Sequence, residues 1–256
     1  MDQERKQGQT AHYDSKIKDK KEHLKKDWKG EYPFIPSSYR FLTNYLYGKC
    51  YGKKILDYGC GYGVHSFWLS KLGAGVTGID LSEKAIDVAK AKGSDDGYNP
   101  VFVKMDCENL NFKNDYFDIV FEDGALPSLN FERAMAQIVK VLKPNGFLIG
   151  IETFGHNPIT NFKRWINTIV GKRTKWEASH IFSINNISRA DKFFGKTQVY
   201  YFHPLSWIAF PFLRIPGAKS VLGGLEYLDK ILLKIPYLKK YSFKAVFIFS
   251  NPKKNV

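Results

Sequence analysis

The chain has 256 residues, 44% of them hydrophobic and 16% aromatic, with a formal net charge of +14, which supports a sizeable core and excludes a disordered chain. Repeats and long low-complexity tracts are absent, the three cysteines Cys50, Cys60 and Cys107 have no metal spacing, and the polar start MDQERKQGQT lacks the apolar core of a signal peptide. A reduced, cytoplasmic setting is the resulting expectation, with no metal.

Charge is unevenly spread. Residues 1–30 carry nine basic and six acidic groups, residues 31–150 thirteen and fourteen, and residues 151–256 seventeen and five, so the last segment alone holds +12. Such a field favours an anionic partner, either nucleic acid, an acidic membrane surface or a phosphorylated substrate. A Lys-rich but inert surface is the bland alternative.

In chain order, residues 1–30 read as a polar arm; its part Asp14–Lys29 alternates charge signs and suits an exposed helix. Residues 31–256 read as one domain. Ile55, Leu56 and Tyr58 continue an apolar run of the kind found in strands covered on both faces. Gly59, Gly61 and Gly63 then permit a sharp turn and close approach to a ligand, and Val64–Leu72 predicts the following helix. Val76–Ile79 is a second strand. Asp80 stands at its carboxyl end, where ligands bind in open α/β sheets and a carboxylate can take both ribose hydroxyls. Val101–Met105 and Tyr116–Phe121 are the third and fourth strands, followed by Asp106 and Cys107 and by Glu122 respectively. The segment VLKPNGFLIGIE, Val141–Glu152, reads as a helix end, a turn and a fifth strand, with Asn145 supplying a left-handed turn residue. Lys196–Phe202 and Phe243–Phe249 are strands six and seven.

The glycine pattern selects among cofactors. A dinucleotide fingerprint needs a third glycine where this chain has Val64. The run D-x-G-C-G-x-G, Asp57–Gly63, together with K-P-N-G, instead resembles the class I S-adenosylmethionine-dependent methyltransferases, of the small bacterial type 11 kind, over roughly residues 32–202. The resemblance implies a Rossmann-like, doubly wound α/β fold of seven strands with the last antiparallel. It also implies S-adenosylmethionine as cofactor: Asp57, Gly59, Cys60, Gly61 and Gly63 around the methionine part, Asp80 and Leu81 at the ribose, Asp106 and Cys107 at the adenine, and Glu122 close by. In many members an N-terminal helix with an aromatic residue closes over the cofactor, which makes Tyr13, Trp28, Tyr32 and Tyr39 candidates beside their ordinary role in packing.

Residues 152–183 fall where that family places its acceptor pocket. They carry His156, Asn157, Arg164, Arg173, Glu177 and His180. A hydroxyl acceptor must lose a proton, and a histidine titrates near neutrality, so His180 and His156 are the candidate bases, with Glu152 or Glu177 as orienter. Helix capping and loop packing are the plainer roles for both histidines. Arg164 and Arg173 suit a bidentate clamp on an anion, or simply solvated helix faces.

The family joins strands six and seven by a short hairpin, but this chain inserts residues 203–242 there. Their first half is apolar and broken by prolines, too short to span a bilayer as one helix. Their second half places Val221, Leu222, Leu225, Leu228, Leu232 and Ile235 at helical spacing among lysines. A lid over the acceptor, an interfacial membrane contact at the inner face of the membrane and a dimer contact are all compatible with that pattern. Three functions follow: methyl transfer to a small-molecule or lipid-linked acceptor, most simply at oxygen; methylation of RNA or other nucleic acid, favoured by the basic last third but opposed by the apolar insert; and a noncatalytic binding protein.

Overall fold

The computed structural model describes residues 2–16, 36–92, 99–212 and 215–255. Its elements are α1 (Asp2–Lys16), α2 (Pro36–Leu46), β1 (Lys54–Tyr58), α3 (Val64–Lys71), β2 (Gly75–Asp80), α4 (Glu83–Lys92), β3 (Val101–Lys104), β4 (Phe117–Asp123), α5 (Phe131–Val141) and β5 (Leu142–Thr153). There follow α6 (Pro158–Ile169), α7 (Lys175–Ser179), α8 (Ile184–Ala190), β6 (Phe194–Phe202), α9 (Ala218–Leu232) and β7 (Lys244–Pro252). The strands form one sheet in the order β3-β2-β1-β4-β5-β7-β6, with β7 antiparallel to both neighbours. This is the expected α/β, doubly wound, Rossmann-like arrangement, and the insert between β6 and β7 contains the helix α9.

Period-two alternation along apolar strands builds a core on each face. Leu56, Tyr58, Val120, Leu148 and Phe247 point to the side covered by α5, whose Ala134, Met135, Ile138 and Val141 are buried. Their neighbours Ile55, Phe121, Ile149, Val246 and Ile248 point to the other side, under Leu42 and Leu46 of α2 and Leu69 of α3. The sheet is thus covered on both faces by buried side chains.

The K-P-N-G segment differs from its expectation. No left-handed residue occurs there; among described non-glycine residues that conformation belongs to Asp115, His203 and Asn251. The pairing of β4 with β5 instead jumps from Phe117 opposite Leu142 to Ile119 opposite Phe147. Residues 143–146 bulge opposite Asp118, and Lys143 Nζ donates to that carboxylate at 2.8 Å. Gly146 is required by crowding, since a Cβ would lie 2.9 Å from the Asp118 carbonyl oxygen.

The N-terminal helix also begins earlier than the charge pattern implied, and Trp28 and Tyr32 lie outside the described residues. The insert opens with a 3-10 stretch, Ser206–Phe212, and closes with another, Pro236–Tyr241, on either side of α9. Among the described residues no helix is long and apolar enough to cross a membrane.

Candidate functional site

The glycine turn after β1 is fixed by backbone geometry. Gly59, Gly61 and Gly63 have φ of 77°, 51° and 73°, a region that side chains with a Cβ rarely enter. At Gly59 a Cβ would also lie 2.6 Å from the Ala125 Cβ, so the turn can approach the loop after β4 because that position has no side chain. Gly61 has open space where its side chain would be.

A cavity of about 320 Å³ opens above this turn, at the carboxyl edge of the sheet. Gly59, Gly61, Asp80, Leu81 and Cys107 line it, as the motifs predicted. Asp80 Oδ2 accepts the Gly61 N–H at 3.0 Å and Oδ1 accepts the Ser82 N–H at 2.9 Å. Those bonds fix the carboxylate against the glycine turn. Burial nevertheless outweighs them and raises its pKa from the ordinary value.

Five of the expected cofactor residues act from behind the wall. Asp57 is 1% exposed and accepts the Ser66 hydroxyl at 2.6 Å, tying β1 to α3; burial lifts it to about 6. Cys60 is buried beneath the turn. Gly63 packs where a Cβ would meet the Phe102 ring at 2.5 Å. Asp106 accepts the Glu108 N–H at 2.8 Å and the Lys6 ammonium at 2.7 Å. Glu122 is fully buried, turned away from the cavity; its Oε1 accepts the N–H groups of Ala125 at 2.6 Å and Leu126 at 3.2 Å. It therefore shapes the loop that forms part of the cavity wall and is not itself among the residues lining the cavity.

Helix α1 closes one side of the cavity with Gln9, Thr10 and Tyr13. Arg5 holds it there, donating to both oxygens of buried Glu108 at 2.7 and 2.8 Å and lying 4.5 Å over the Trp176 ring. The Tyr13 hydroxyl donates to Glu177 of α7, and Ser82 donates to Asp14. Of the aromatic residues named as candidates to close over the cofactor, Tyr13 lines the cavity. Tyr39 does not line the cavity itself but donates to Asp123 Oδ2 at 2.6 Å.

Asp123 is the feature that sequence reasoning left unassigned. It lines the cavity from the end of β4. His65 Nε2 of α3 lies 3.0 Å from its Oδ2 and Lys244 Nζ of β7 lies 3.9 Å from its Oδ1. Burial pushes this carboxyl up, but Lys244, His65 and Tyr39 together hold it below the usual range, so it is ionised at neutral pH. The partners are separated by 58 to 121 positions in the chain, and no local motif connects them.

The two histidines proposed as bases do not reach this cavity. His180 ends α7, stacks on Trp176 at 3.8 Å and has Nδ1 2.9 Å from the Trp176 carbonyl oxygen. It faces a separate hollow of about 180 Å³. His156 Nε2 accepts the Ile184 N–H at 3.3 Å at the start of α8. Both therefore take the helix-end role that competes with catalysis. Glu177 is held by the capping box of α7 and by Tyr13, and Arg164 is buried, donating to the Phe154 carbonyl oxygen at 3.1 Å. His203, in the insert, is buried between Ser38 and Ser206, 3.1 and 2.8 Å away, and burial lowers it to about 3. No described residue of the insert lines the cofactor-side cavity.

Residues 56–150 match the model of a family described as a methyltransferase domain. Among curated proteins, a ubiquinone biosynthesis O-methyltransferase of Coxiella burnetii is 37% identical over 121 residues, 47% of this chain and 50% of that protein. A phthiotriol/phenolphthiotriol dimycocerosates methyltransferase of Mycobacterium ulcerans is 31% identical over 115 residues, 44% of this chain and 42% of that protein. The chain spans about half the length of these relatives or less. Among solved structures, the geranyl diphosphate C-methyltransferase of Streptomyces coelicolor, solved with S-adenosyl-L-homocysteine, superposes with a TM-score of 0.59 at 15% identity, covering 83% of this chain and 79% of that one. A Pyrococcus horikoshii protein gives 0.53 at 18%, covering 89% and 99%. At such identities the likeness is one of fold.

Proposed function

We propose that this chain, which carries a methyltransferase domain over residues 56–150, transfers a methyl group from S-adenosylmethionine to a hydroxyl of a small-molecule or lipid-linked acceptor. The observation that carries the reading is the cavity in which the glycine turn, Asp80 and Asp123 meet.

The residues fit the cofactor. Gly61 leaves unfilled space on the wall, and Asp80 presents a carboxylate at the end of β2, suited to a pair of vicinal hydroxyls. Leu81, Ala85 and Cys107 offer an apolar slot beside it. Once bound, the sulfonium supplies an electrophilic methyl, and the reaction then asks the protein mainly for alignment. Helix α1 contributes by closing the cavity through Arg5 and Tyr13. Asp123 is the carboxylate placed to accept the proton of an acceptor hydroxyl, with Tyr39 and His65 holding its Oδ2 and Lys244 standing beside Oδ1. Relatives named for ubiquinone biosynthesis and for phthiotriol dimycocerosates support an apolar acceptor. The nucleic-acid alternative draws on the basic last third, but the lysines there are interleaved with exposed apolar side chains, unlike a phosphate-tracking groove.

Calorimetry with S-adenosylmethionine tests the reading. Micromolar binding that weakens by about a hundredfold in Asp80→Ala, the loss of a charge-assisted hydrogen-bonded pair, supports it. Wild-type protein that binds no S-adenosylmethionine defeats it. If binding is present, Asp123→Asn separates the chemistry: the O-transfer reading expects unchanged cofactor affinity with a fall in kcat.

A further inference from the structure

Helix α6 is inside out for a protein surrounded by water. Its polar Thr160 and Arg164 are buried, 4% and 8% exposed, with Arg164 also bonded to Asn161 at 2.7 Å. Its apolar Ile159, Phe162, Ile166 and Ile169 repeat at i, i+3, i+7 and i+10, and all face outward at 40–64% exposure. Trp165 stacks on Phe162 at 5.7 Å and is 59% exposed. At about 150–250 Å² for a whole aromatic side chain, these two rings alone leave on the order of 200 Å² uncovered. With their aliphatic neighbours they make a continuous apolar patch, which marks an interaction site on a monomer.

The insert repeats the pattern beside it. In α9 the inner face buries Ala218, Leu222 and Asp229, whose carboxylate accepts the Leu205 N–H at 2.8 Å. The opposite face exposes Val221, Leu228 and Ile231, continued by Ile235, at 45–59%. The two segments rise from one place: Thr153 at the end of β5 and Phe202 at the end of β6 are both paired with Lys244. Asn157, capping α6, donates to the Tyr241 carbonyl oxygen at 2.9 Å and joins them. Both stand on the sheet edge that holds the cavity.

Charge identifies the occupant. Lys163, Lys172 and Lys175 are exposed on or just after α6, and Lys230, Lys234 and Lys239 on or just after α9. Of the five acidic residues in this +12 segment, Glu152, Glu177 and Asp229 are buried, so few carboxylates offset the lysines at the surface. A second copy meeting this face across a two-fold axis would bring lysines against lysines. A nucleic acid would leave the apolar side chains without a partner. An anionic bilayer satisfies both, with aliphatic and aromatic groups in the acyl boundary and ammonium groups among the headgroups. We infer that α6 and the insert form a single membrane-docking face for anionic lipid, seated beside the cavity mouth. The inference rests on residues outside the cavity and stands apart from the transfer reaction, although it offers an apolar acceptor a direct route in.

The test is co-flotation of the full chain with phosphatidylcholine vesicles, with and without phosphatidylglycerol, alongside sedimentation velocity without lipid. Wild type is expected to float with phosphatidylglycerol vesicles. Phe162→Glu with Trp165→Glu should reduce partitioning by a factor on the order of one hundred. A second variant, Lys163→Glu with Lys172→Glu and Lys175→Glu, should abolish the preference for phosphatidylglycerol. Thermal unfolding and S-adenosylmethionine binding should stay as in wild type for both, because the substituted side chains face outward and none lines the cavity. Wild type that stays with the unbound fraction overturns the inference, as does undiminished flotation of the aromatic double variant. A wild-type dimer that the same double variant dissociates would overturn it in favour of a second copy.

Discussion

Behind the cavity, Glu122 and Glu152 meet in the core, 0% and 1% exposed, and Glu122→Gln tests how that pair is charged. As two carboxylates they leave Glu122 Oε2 and Glu152 Oε1 without a donor. One proton held between them supplies it. Burial first, then mutual repulsion, raises Glu122 well above the usual range, and burial raises Glu152 to about 7. The folded protein therefore keeps protons that the unfolded chain has lost above about pH 4.5. Stability falls as pH rises through that window, by about 1.4 kcal/mol per pH unit for each retained proton. The pair keeps that one proton from about pH 4.5 to at least about 7, an interval that amounts to roughly 3 kcal/mol. Glutamine at 122 keeps an oxygen for the Ala125 and Leu126 N–H groups and offers an amide N–H to Glu152 in place of the proton. Urea unfolding of wild type and variant from pH 5 to 8 is the assay. The variant should gain on wild type steadily with pH, becoming the more stable of the two by pH 8 by roughly 1–3 kcal/mol, with cofactor affinity unchanged. A difference that is independent of pH, or a variant that is weaker at pH 8, would refute the shared proton.

Two further outcomes follow from the cavity walls. Gly59→Ala forces φ of 77° and places a Cβ against Ala125, so S-adenosylmethionine binding should fall by tenfold or more, about 1.4 kcal/mol, measured by calorimetry. Arg5→Ala removes the guanidinium that donates to both oxygens of buried Glu108 and leaves it the Lys6 ammonium; thermal unfolding should show a loss of about 1–3 kcal/mol, and hydrogen exchange in α1 should accelerate.

Much of the sheet could be read in advance because its strands are apolar runs closed by glycines or acids. The turn at Gly59–Gly63 was legible for the same reason that it works, since positive φ restricts the choice of residue. The Asp123 cluster was not, because Tyr39, His65 and Lys244 come together through three separate elements. Residues 152–183 were read for their polar side chains alone; the outward apolar face of α6 became visible only with the burial of Thr160 and Arg164. His156 and His180 carried a chemical suggestion by residue type, and helix ends took both. Asn145 was read as a turn residue, whereas a register jump opposite Asp118 absorbs the segment in β5.

The strand order divides the sheet into two halves that carry different parts of the molecule. Strands β3, β2, β1 and β4 carry the glycine turn, Asp80 and Asp123, while β5, β7 and β6 carry the segments that depart from the bare fold. Because residues 203–242 join neighbouring outer strands, they can be exchanged, lengthened or lost without redirecting the backbone near the glycine turn. Changes in the segments that the outer half carries would therefore leave the glycine turn, Asp80 and Asp123 of the inner half in place.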